Sequence, residues 1–268
     1  MIPLFKKLRN SSLLLVLGFA LSLILSSCGN NEVKFQKKAL DELIKTKNEI
    51  QNFSVILYDM DYDESSDRYK HQYQLLIQPN NNPDTLLSEI QPWLVVDATE
   101  FKKYQEDMGM EIAVKKDGVL KKQTSPAGYS EYVGNEKYGK WERRNDGTSF
   151  WAFYGQYAFM SSMFRMSMYP VRYSYWNDYR GNYYGSGRSY YGSNGNRSYG
   201  TGSAYSNSRS NSRWNSRPSS FKQNVRSKVQ RSSSARSSRS SRTNRRTRSG
   251  SRYSSGSNYR SRGGGFGK

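Results

Sequence analysis

Aliphatic side chains almost disappear from the last 98 residues, and this break in composition constrains the fold more than any other feature of the chain. The only large aliphatic residues there are Val171, Val225 and Val229. Tyr, Gly, Ser, Asn and Arg make up most of residues 173–205, and Ser-Arg pairs recur after them. Such a segment offers little apolar surface to offset the entropy that a chain loses on ordering. We therefore predict that residues 171–268 are disordered.

The net charge is divided just as unevenly. Residues 1–170 contain 21 Lys and Arg against 21 Asp and Glu, whereas residues 171–268 contain 21 Lys and Arg against one acid, Asp178. The formal charge of +20 therefore belongs to the last segment and indicates an anionic partner. The side chains that we expect to bind it are Arg231, Arg236, Arg239, Arg242, Arg245, Arg246, Arg248 and Arg252.

The first 28 residues have the three parts of a secretory signal peptide. Lys6, Lys7 and Arg9 give a positive start, and residues 13–25 are a largely apolar run. That run is shorter than the roughly 20 residues that cross a bilayer as a helix. Small residues then precede Cys28, the only cysteine. A single cysteine excludes an intrachain disulfide and a thiolate zinc cage.

The tetrapeptide Leu25-Ser26-Ser27-Cys28 resembles the lipobox of bacterial lipoproteins. The resemblance covers the first 28 residues only. It implies cleavage between Ser27 and Cys28, a diacylglyceryl group on the Cys28 thiol, and often a further acyl chain such as palmitate on the new amine. Two or more acyl chains hold a protein stably on a membrane. The alternative is an uncleaved N-terminal membrane helix.

Gly29 adds an expectation about location. In enterobacterial lipoproteins an Asp at this place retains the protein in the inner membrane, so Gly29 implies the outer membrane if the cell is Gram-negative. The expected location is thus the exported side of a bacterial cell envelope.

Residues 35–170 have the patterns of a small α+β domain, which a tether over residues 28–34 joins to the lipid. Residues 35–51 place apolar side chains near one face of a helix. Thr99 is a candidate cap for a second helix over residues 100–107. A domain of this size can bury an independent core.

Strand-forming residues dominate residues 53–58 and 69–78, which predicts a hairpin closed by the polar residues 59–68. A further short strand is predicted over residues 93–96. The second strand of the hairpin places five side chains on one face, namely Tyr69, His71, Tyr73, Leu75 and Ile77.

Two Asp-Gly pairs between strand-like segments predict tight hairpins, because this pair suits the left-handed backbone of a two-residue turn. Asp117-Gly118 lies between residues 110–114 and 119–122, and Asp146-Gly147 is the second such pair. The elements together predict a small antiparallel sheet with one or two helices.

Residues 149–168 contain seven aromatic residues and four methionines, and Arg165 is their only charge. They fit the end of the sheet followed by a core helix. Two alternatives are a segment lying in the headgroup region of a membrane and a transmembrane span. Polar residues inside the segment disfavour the span.

Four carboxylates, Asp59, Asp61, Asp63 and Asp67, follow the spacing of a calcium-binding loop. Calcium prefers six to eight hard oxygen ligands. However, Glu64 stands where the loop needs a glycine, and Lys70 stands where it needs a bidentate glutamate. A solvated acidic turn is the favoured interpretation, with calcium as the weaker candidate.

Catalytic signatures are missing from the sequence. His71 is the only histidine, and no G-x-S-x-G elbow, P-loop or dinucleotide fingerprint occurs. We therefore predict a protein without enzymatic activity and without a cofactor. An enzyme in the middle domain that uses His71 or the Asp59–Asp67 carboxylates is the alternative.

The partner of the basic segment depends on the compartment. In an exported protein the available anions are lipid phosphates, lipopolysaccharide and wall polymers. Arginine binds phosphate well and tyrosine stacks on bases, so nucleic acid is the alternative partner. A passive spacer is the third interpretation.

Overall fold

The computed structural model describes residues 35–36, 38–164, 170–209 and 211–246, with residues 234–246 described as helical backbone. Eight strands form one sheet: β1 (Phe35–Gln36), β2 (Asn52–Asp63), β3 (Arg68–Gln78), β4 (Leu87–Ile90), β5 (Leu94–Val96), β6 (Met110–Lys116), β7 (Val119–Lys121) and β8 (Ser125–Pro126). A separate hairpin consists of β9 (Gly139–Arg143) and β10 (Ser149–Phe153).

Seven α-helices are described around these strands: α1 (Ala39–Thr46), α2 (Ala98–Tyr104), α3 (Phe159–Met163), α4 (Tyr173–Asn182), α5 (Ala204–Asn207), α6 (Arg213–Ser216) and α7 (Ser219–Arg246). Short 3₁₀ turns span Gly155–Tyr157 and Ser193–Gly195. The prediction of one or two helices was wrong, because most of these helices lie after residue 158.

The main sheet has the strand order β1-β5-β3-β2-β6-β7, with β4 paired to β3 and β8 paired to β6. All pairings are antiparallel except that of β1 with β5. The predicted α+β class with an antiparallel sheet is therefore confirmed.

The sheet is buried on both faces, so the core has two layers. Phe53, Val55 and Leu57 of β2 enter the first layer, together with α1, α2 and the start of α7. Ile56 of β2 and Leu76 of β3 enter the second layer. Hairpin β9–β10 and the tyrosine-rich residues 173–205 cover this layer. The predicted inner face of β3, from Tyr69 to Ile77, is buried throughout.

A β-bulge at Tyr58 changes which side chains of β2 face the first layer. The register of β2 against β3 shifts between Leu57 and Asp59. Before the bulge, odd-numbered residues enter the first layer, and after it Met60 and Tyr62 do. An extra residue in one strand reverses the alternation in this way. The strand continues past the bulge to Asp63, five residues beyond its predicted end.

A buried carboxylate joins the first two helices. Asp97, not Thr99, caps α2 by accepting a hydrogen bond from the Glu100 backbone N–H. Thr99 was the wrong candidate because it lies inside the first turn, where it cannot precede the free N–H groups. Glu100 in turn accepts hydrogen bonds from the N–H groups of Ala39 and Leu40 at 3.1 and 3.0 Å, which caps α1.

Both Asp-Gly hairpins are confirmed. Strands β6 and β7 pair up to Lys116 and Val119, which leaves Asp117-Gly118 as a two-residue turn. Their φ angles of 48° and 80° are the left-handed conformation that this turn requires. The second pair closes β9–β10, where the Arg144 N–H donates to the Thr148 carbonyl at 2.8 Å.

Residues 149–164 end the hairpin and then turn into α3, as the first interpretation predicts. Met160 and Phe164 are buried in the second core layer. Residues 165–168 lie outside the described ranges. Across the described parts of the chain, no helix has both the length and the apolar character needed to cross a bilayer.

The predicted disorder from residue 171 onward is wrong for the described residues up to 233. Five aromatic side chains of this segment are at least 93% buried, namely Tyr179, Tyr190, Tyr199, Tyr205 and Trp214. The three valines, Val171, Val225 and Val229, are buried as well. Residues 247–268 lie outside the described ranges, and for them disorder remains a prediction.

Tyrosine explains why composition misled the prediction. A buried tyrosine removes as much apolar surface as a large aliphatic residue, provided that its hydroxyl finds a partner. The Tyr199 hydroxyl lies 2.6 Å from that of Tyr129, and the Tyr190 hydroxyl donates to the Tyr175 carbonyl at 3.0 Å. The segment therefore builds a core from aromatic rings that hydrogen-bond to one another and to the backbone.

Two glycines of the segment are needed for close packing. A Cβ atom on Gly192 would lie 2.2 Å from the Asn196 carbonyl oxygen, and one on Gly200 would lie 2.5 Å from that of Glu106. Both have positive φ angles, 139° and 87°. These glycines form ordered turns in which a side chain does not fit.

Candidate anion-contact surface

The basic C-terminal segment, which begins at residue 171, covers the part of strand β2 that has no neighbouring strand on one side. Strand β6 pairs with β2 only between Phe53 and Ile56. Beyond that point, the Arg209 guanidinium donates to the Tyr58 carbonyl and residues 212–214 bind Asp59. Since an uncovered strand edge promotes aggregation, this contact protects β2 as well as fixing the segment.

Asp59 caps helix α6 from 153 residues away. Its carboxylate accepts hydrogen bonds from the Ser212 hydroxyl at 2.8 Å and the Arg213 N–H at 2.6 Å. A weaker contact comes from the Trp214 N–H at 3.4 Å. Burial raises the pKa of Asp59, while these hydrogen bonds act in the opposite direction. The carboxylate thus anchors α6 beside the fully buried ring of Trp214.

The other three calcium candidates have separate partners within the protein. The Asp61 carboxylate accepts two hydrogen bonds from the Arg217 guanidinium, both at 3.2 Å. Asp63 binds Lys70 at 2.8 Å. Asp67 binds Lys228 at 2.9 Å, and this hydrogen bond lowers the pKa of Asp67. The structure therefore brings these carboxylates to basic side chains, two of them from the C-terminal segment.

Helix α7 is anchored by its first three turns. Phe221, Val225 and Val229 pack into the first core layer, and the helix contacts α2. Arg226 pairs with Glu106 at 3.5 Å, and Lys228 pairs with Asp67. These residues fix one side of the helix to the domain. The sequence of the helix contains nine basic residues and no acidic one.

Among the predicted anion-binding residues, Arg231 is exposed on the anchored part of α7. None of the ion pairs found among the described residues uses it. Five more fall on the described backbone of α7, namely Arg236, Arg239, Arg242, Arg245 and Arg246. Arg248, Arg252 and the proposed lipidation site at Ser27-Cys28 lie outside the described residues.

Six arginines between residues 180 and 217 stack on aromatic rings. The Arg180 guanidinium lies 3.9 Å from the centre of the Tyr184 ring, and Arg209 lies 4.2 Å from that of Tyr58. Similar contacts are made by Arg188 over Tyr183, Arg197 over Tyr191, Arg213 over Trp93 and Arg217 over Phe221. Cation–π attraction therefore uses the mixture of Tyr and Arg from which disorder was predicted.

His71 lies in the first core layer, away from solvent. It is fully buried, stacks on Phe101 with ring centres 5.3 Å apart, and its Nδ1 lies 3.0 Å from the Tyr73 hydroxyl. Burial lowers the pKa of His71 to about 3. The ring is therefore neutral near pH 7 and has the surroundings of a packed core residue.

A second buried ionisable group lies in the other layer. Glu111 is fully buried, and the Ser125 hydroxyl contacts its carboxylate at 3.3 Å. The Ser125 hydroxyl also hydrogen-bonds to the Ser130 hydroxyl at 3.1 Å. The Ser130 hydroxyl in turn hydrogen-bonds to the Tyr179 hydroxyl at 3.1 Å. Burial raises the pKa of Glu111 to about 7. No pattern in the sequence singled out this residue.

Residues 212–217 were also missed by sequence reasoning, which treated them as part of a uniform tail. One signal was present, since Ser212 precedes a helical turn and accepts from the Asn215 N–H as a serine N-cap does. Nothing in the sequence indicated that Asp59 would be its partner.

The described residues contain no cluster of His, Cys, Asp and Glu suited to a metal ion. The chain matches no protein-family model, no curated protein and no solved structure. The surface must therefore be interpreted from its own chemistry, as an α+β domain that carries an anchored basic helix.

Proposed function

We propose that the protein is a lipid-anchored component of a bacterial cell envelope that contacts anionic polymers or lipids through its basic C-terminal segment. In this proposal Cys28 carries the lipid, the α+β domain has no catalytic role, and no cofactor takes part. The main support is helix α7, whose first three turns pack on the domain and whose sequence contains nine basic residues and no acidic one.

The helix supports the proposal because it concentrates basic residues along one continuous element. An α-helix of 28 residues is about 42 Å long. Each basic residue near an anionic surface adds about 1 kcal/mol of binding free energy at moderate salt. Only Arg226 and Lys228 of the helix form ion pairs with carboxylates among the described residues. Arg231, which is exposed and forms none of these ion pairs, is available to a partner.

Membrane attachment can be tested by intact mass. Protein extracted from membranes should lack residues 1–27 and carry a lipid increment on Cys28. A Cys28→Ser variant should keep the signal peptide and lose the increment. Recovery of the native protein from the soluble fraction, beginning at Met1 with a free thiol, would contradict the proposed location.

Anion contact can be tested by co-sedimentation of the detergent-solubilised full chain with lipopolysaccharide, with peptidoglycan and with phosphatidylglycerol vesicles, over a salt series. Binding should weaken steadily as salt rises, since exposed charges are screened. A chain ending at residue 233 loses ten basic residues but keeps the anchored turns of α7, and it should bind more weakly. Binding that does not change with salt concentration would contradict the proposal.

Nucleic acid is the second candidate partner, favoured by the arginine and tyrosine content of the segment. Tighter binding to single-stranded nucleic acid than to all envelope anions at the same salt concentration, together with cytosolic fractionation, would replace the first candidate with this one.

A further inference from the structure

Four hydrogen-bond donors lie along one face of the anchored part of α7. Asn224, Ser227, Lys228 and Arg231 occupy positions i, i+3, i+4 and i+7, which share a helix face. They line an open cavity of about 490 Å³ between the helix and the tip of hairpin β2–β3. This volume falls within the range of small-ligand sites.

The cavity wall is held in place by a network at Lys228. The Lys228 ammonium lies 2.9 Å from the Asp67 carboxylate and also donates to the Tyr62 hydroxyl. The Tyr62 hydroxyl donates to Asp67 at 2.7 Å. These hydrogen bonds raise the pKa of Lys228, which stays charged. Val225, which is 2% exposed, also lines the cavity and packs into the first core layer.

Arg231 supplies the charge that remains available in the cavity. It is exposed, and no ion pair among the described residues uses its guanidinium. Guanidinium binds phosphate through two parallel hydrogen bonds, and the neighbouring hydroxyl and amide can donate to the remaining oxygens. Glu64 on the opposite wall is the one lining residue that would repel an anion.

We propose that this cavity binds the phosphoryl group of an envelope phosphate ester, with Arg231 as the principal contact and Asn224, Ser227 and Lys228 as further donors. This inference rests on the proposed function, and it places one specific contact on the folded part of the chain. A phospholipid headgroup and a soluble phosphate share this chemistry, so the test must separate them.

The test compares two arginines on opposite faces of α7. Arg231→Gln and Arg226→Gln remove the same charge from the same helix, but Arg226 does not line the cavity. The detergent-solubilised full chain is titrated with inorganic phosphate, with amide shifts of residues 224–231 as readout, and with phosphatidylglycerol vesicles at one fixed salt concentration. Glu64→Gln provides a third variant in which the repulsive group is removed.

We expect Arg231→Gln to weaken binding of the vesicles, of phosphate or of both by about tenfold, and Arg226→Gln to change it by less than about twofold. Glu64→Gln should strengthen binding. If phosphate and vesicles respond alike, the phosphoryl group itself is recognised, and if only vesicles respond, the headgroup is the ligand.

Equal weakening by Arg231→Gln and Arg226→Gln would overturn the cavity and leave a diffuse basic surface, so the proposed function would stand. Wild-type protein that binds no anionic vesicle or envelope polymer at any salt concentration would overturn the proposed function instead. Unchanged circular dichroism and unfolding of each variant shows that a loss of binding does not come from misfolding.

Discussion

Asp59 and Ser212 share a hydrogen bond of 2.8 Å across 153 residues of sequence. One residue lies just past a β-bulge in the central strand of the sheet, and the other caps a short helix in the basic segment. Through this pair the α+β domain holds a stretch that composition alone predicts to be disordered.

Replacing Asp59 with Ala should release the basic segment. The change leaves the buried Ser212 hydroxyl and the N–H groups of Arg213 and Trp214 without their acceptor, at a cost of about 2–3 kcal/mol in unfolding free energy. Urea unfolding measures the loss, and trypsin should cleave faster after Arg209. Glu64→Ala, an exposed change on the same hairpin, should behave as wild type. Slow cleavage in both variants would show that Asp59 does not hold the segment.

Stability should fall as pH rises towards 7 because of Glu111. Burial raises its pKa from 4.5 to about 7 in the folded protein. Between these pH values Glu111 ionises in the unfolded chain but stays protonated in the folded one, which favours the unfolded state. The free energy of unfolding therefore falls, by about 3 kcal/mol in total once the pH exceeds 7. Glu111→Gln should therefore be more stable than wild type at pH 8 and similar to it at pH 4.

Urea unfolding at a series of pH values tests the Glu111 prediction. Glu136→Gln, a change at an exposed position, should leave the wild-type slope intact. A Glu111→Gln variant that keeps the wild-type slope would show that another group causes it.

His71 should produce the opposite slope in acid. Burial lowers its pKa from 6.5 to about 3. As pH falls through this window the unfolded chain takes up a proton that the folded core excludes, so stability is lost, by about 5 kcal/mol at most. His71→Gln keeps a polar partner for the Tyr73 hydroxyl and should flatten the acid limb. Thermal unfolding at pH 4 and pH 7 compares the two proteins, and equal losses would refute the assignment.

Two glycine substitutions should have opposite signs. Gly118→Ala strains a turn with φ of 80° and brings a Cβ to 2.8 Å from the Gln51 side chain, so we expect a loss of about 1–2 kcal/mol. Gly181→Ala lies in helix α4 with open space around it and should add about 0.5–1 kcal/mol. Chemical denaturation measures both, and a destabilised Gly181→Ala would mean that α4 is not an ordinary helix.

Much of the sheet could be predicted because its signals are local. Alternation along residues 69–78 identified the buried face of β3, and Asp117-Gly118 identified the turn between β6 and β7. Each prediction depends on neighbours within a few residues. For the candidate anion-contact surface, the sequence predicted only the positive charge, because the nine basic residues of α7 can be counted without any structure.

The sequence by itself determined the α+β class, the hairpin turns and the location of the net charge, because periodicity, turn chemistry and composition are properties of adjacent residues. Only the tertiary structure decided that Tyr190, Tyr199 and Trp214 are buried, the two tyrosines in one core layer and Trp214 in the other, and that Asp59 holds α6. Burial of an aromatic ring depends on surfaces supplied by residues 70 to 155 positions away, and composition carries no record of which surfaces meet.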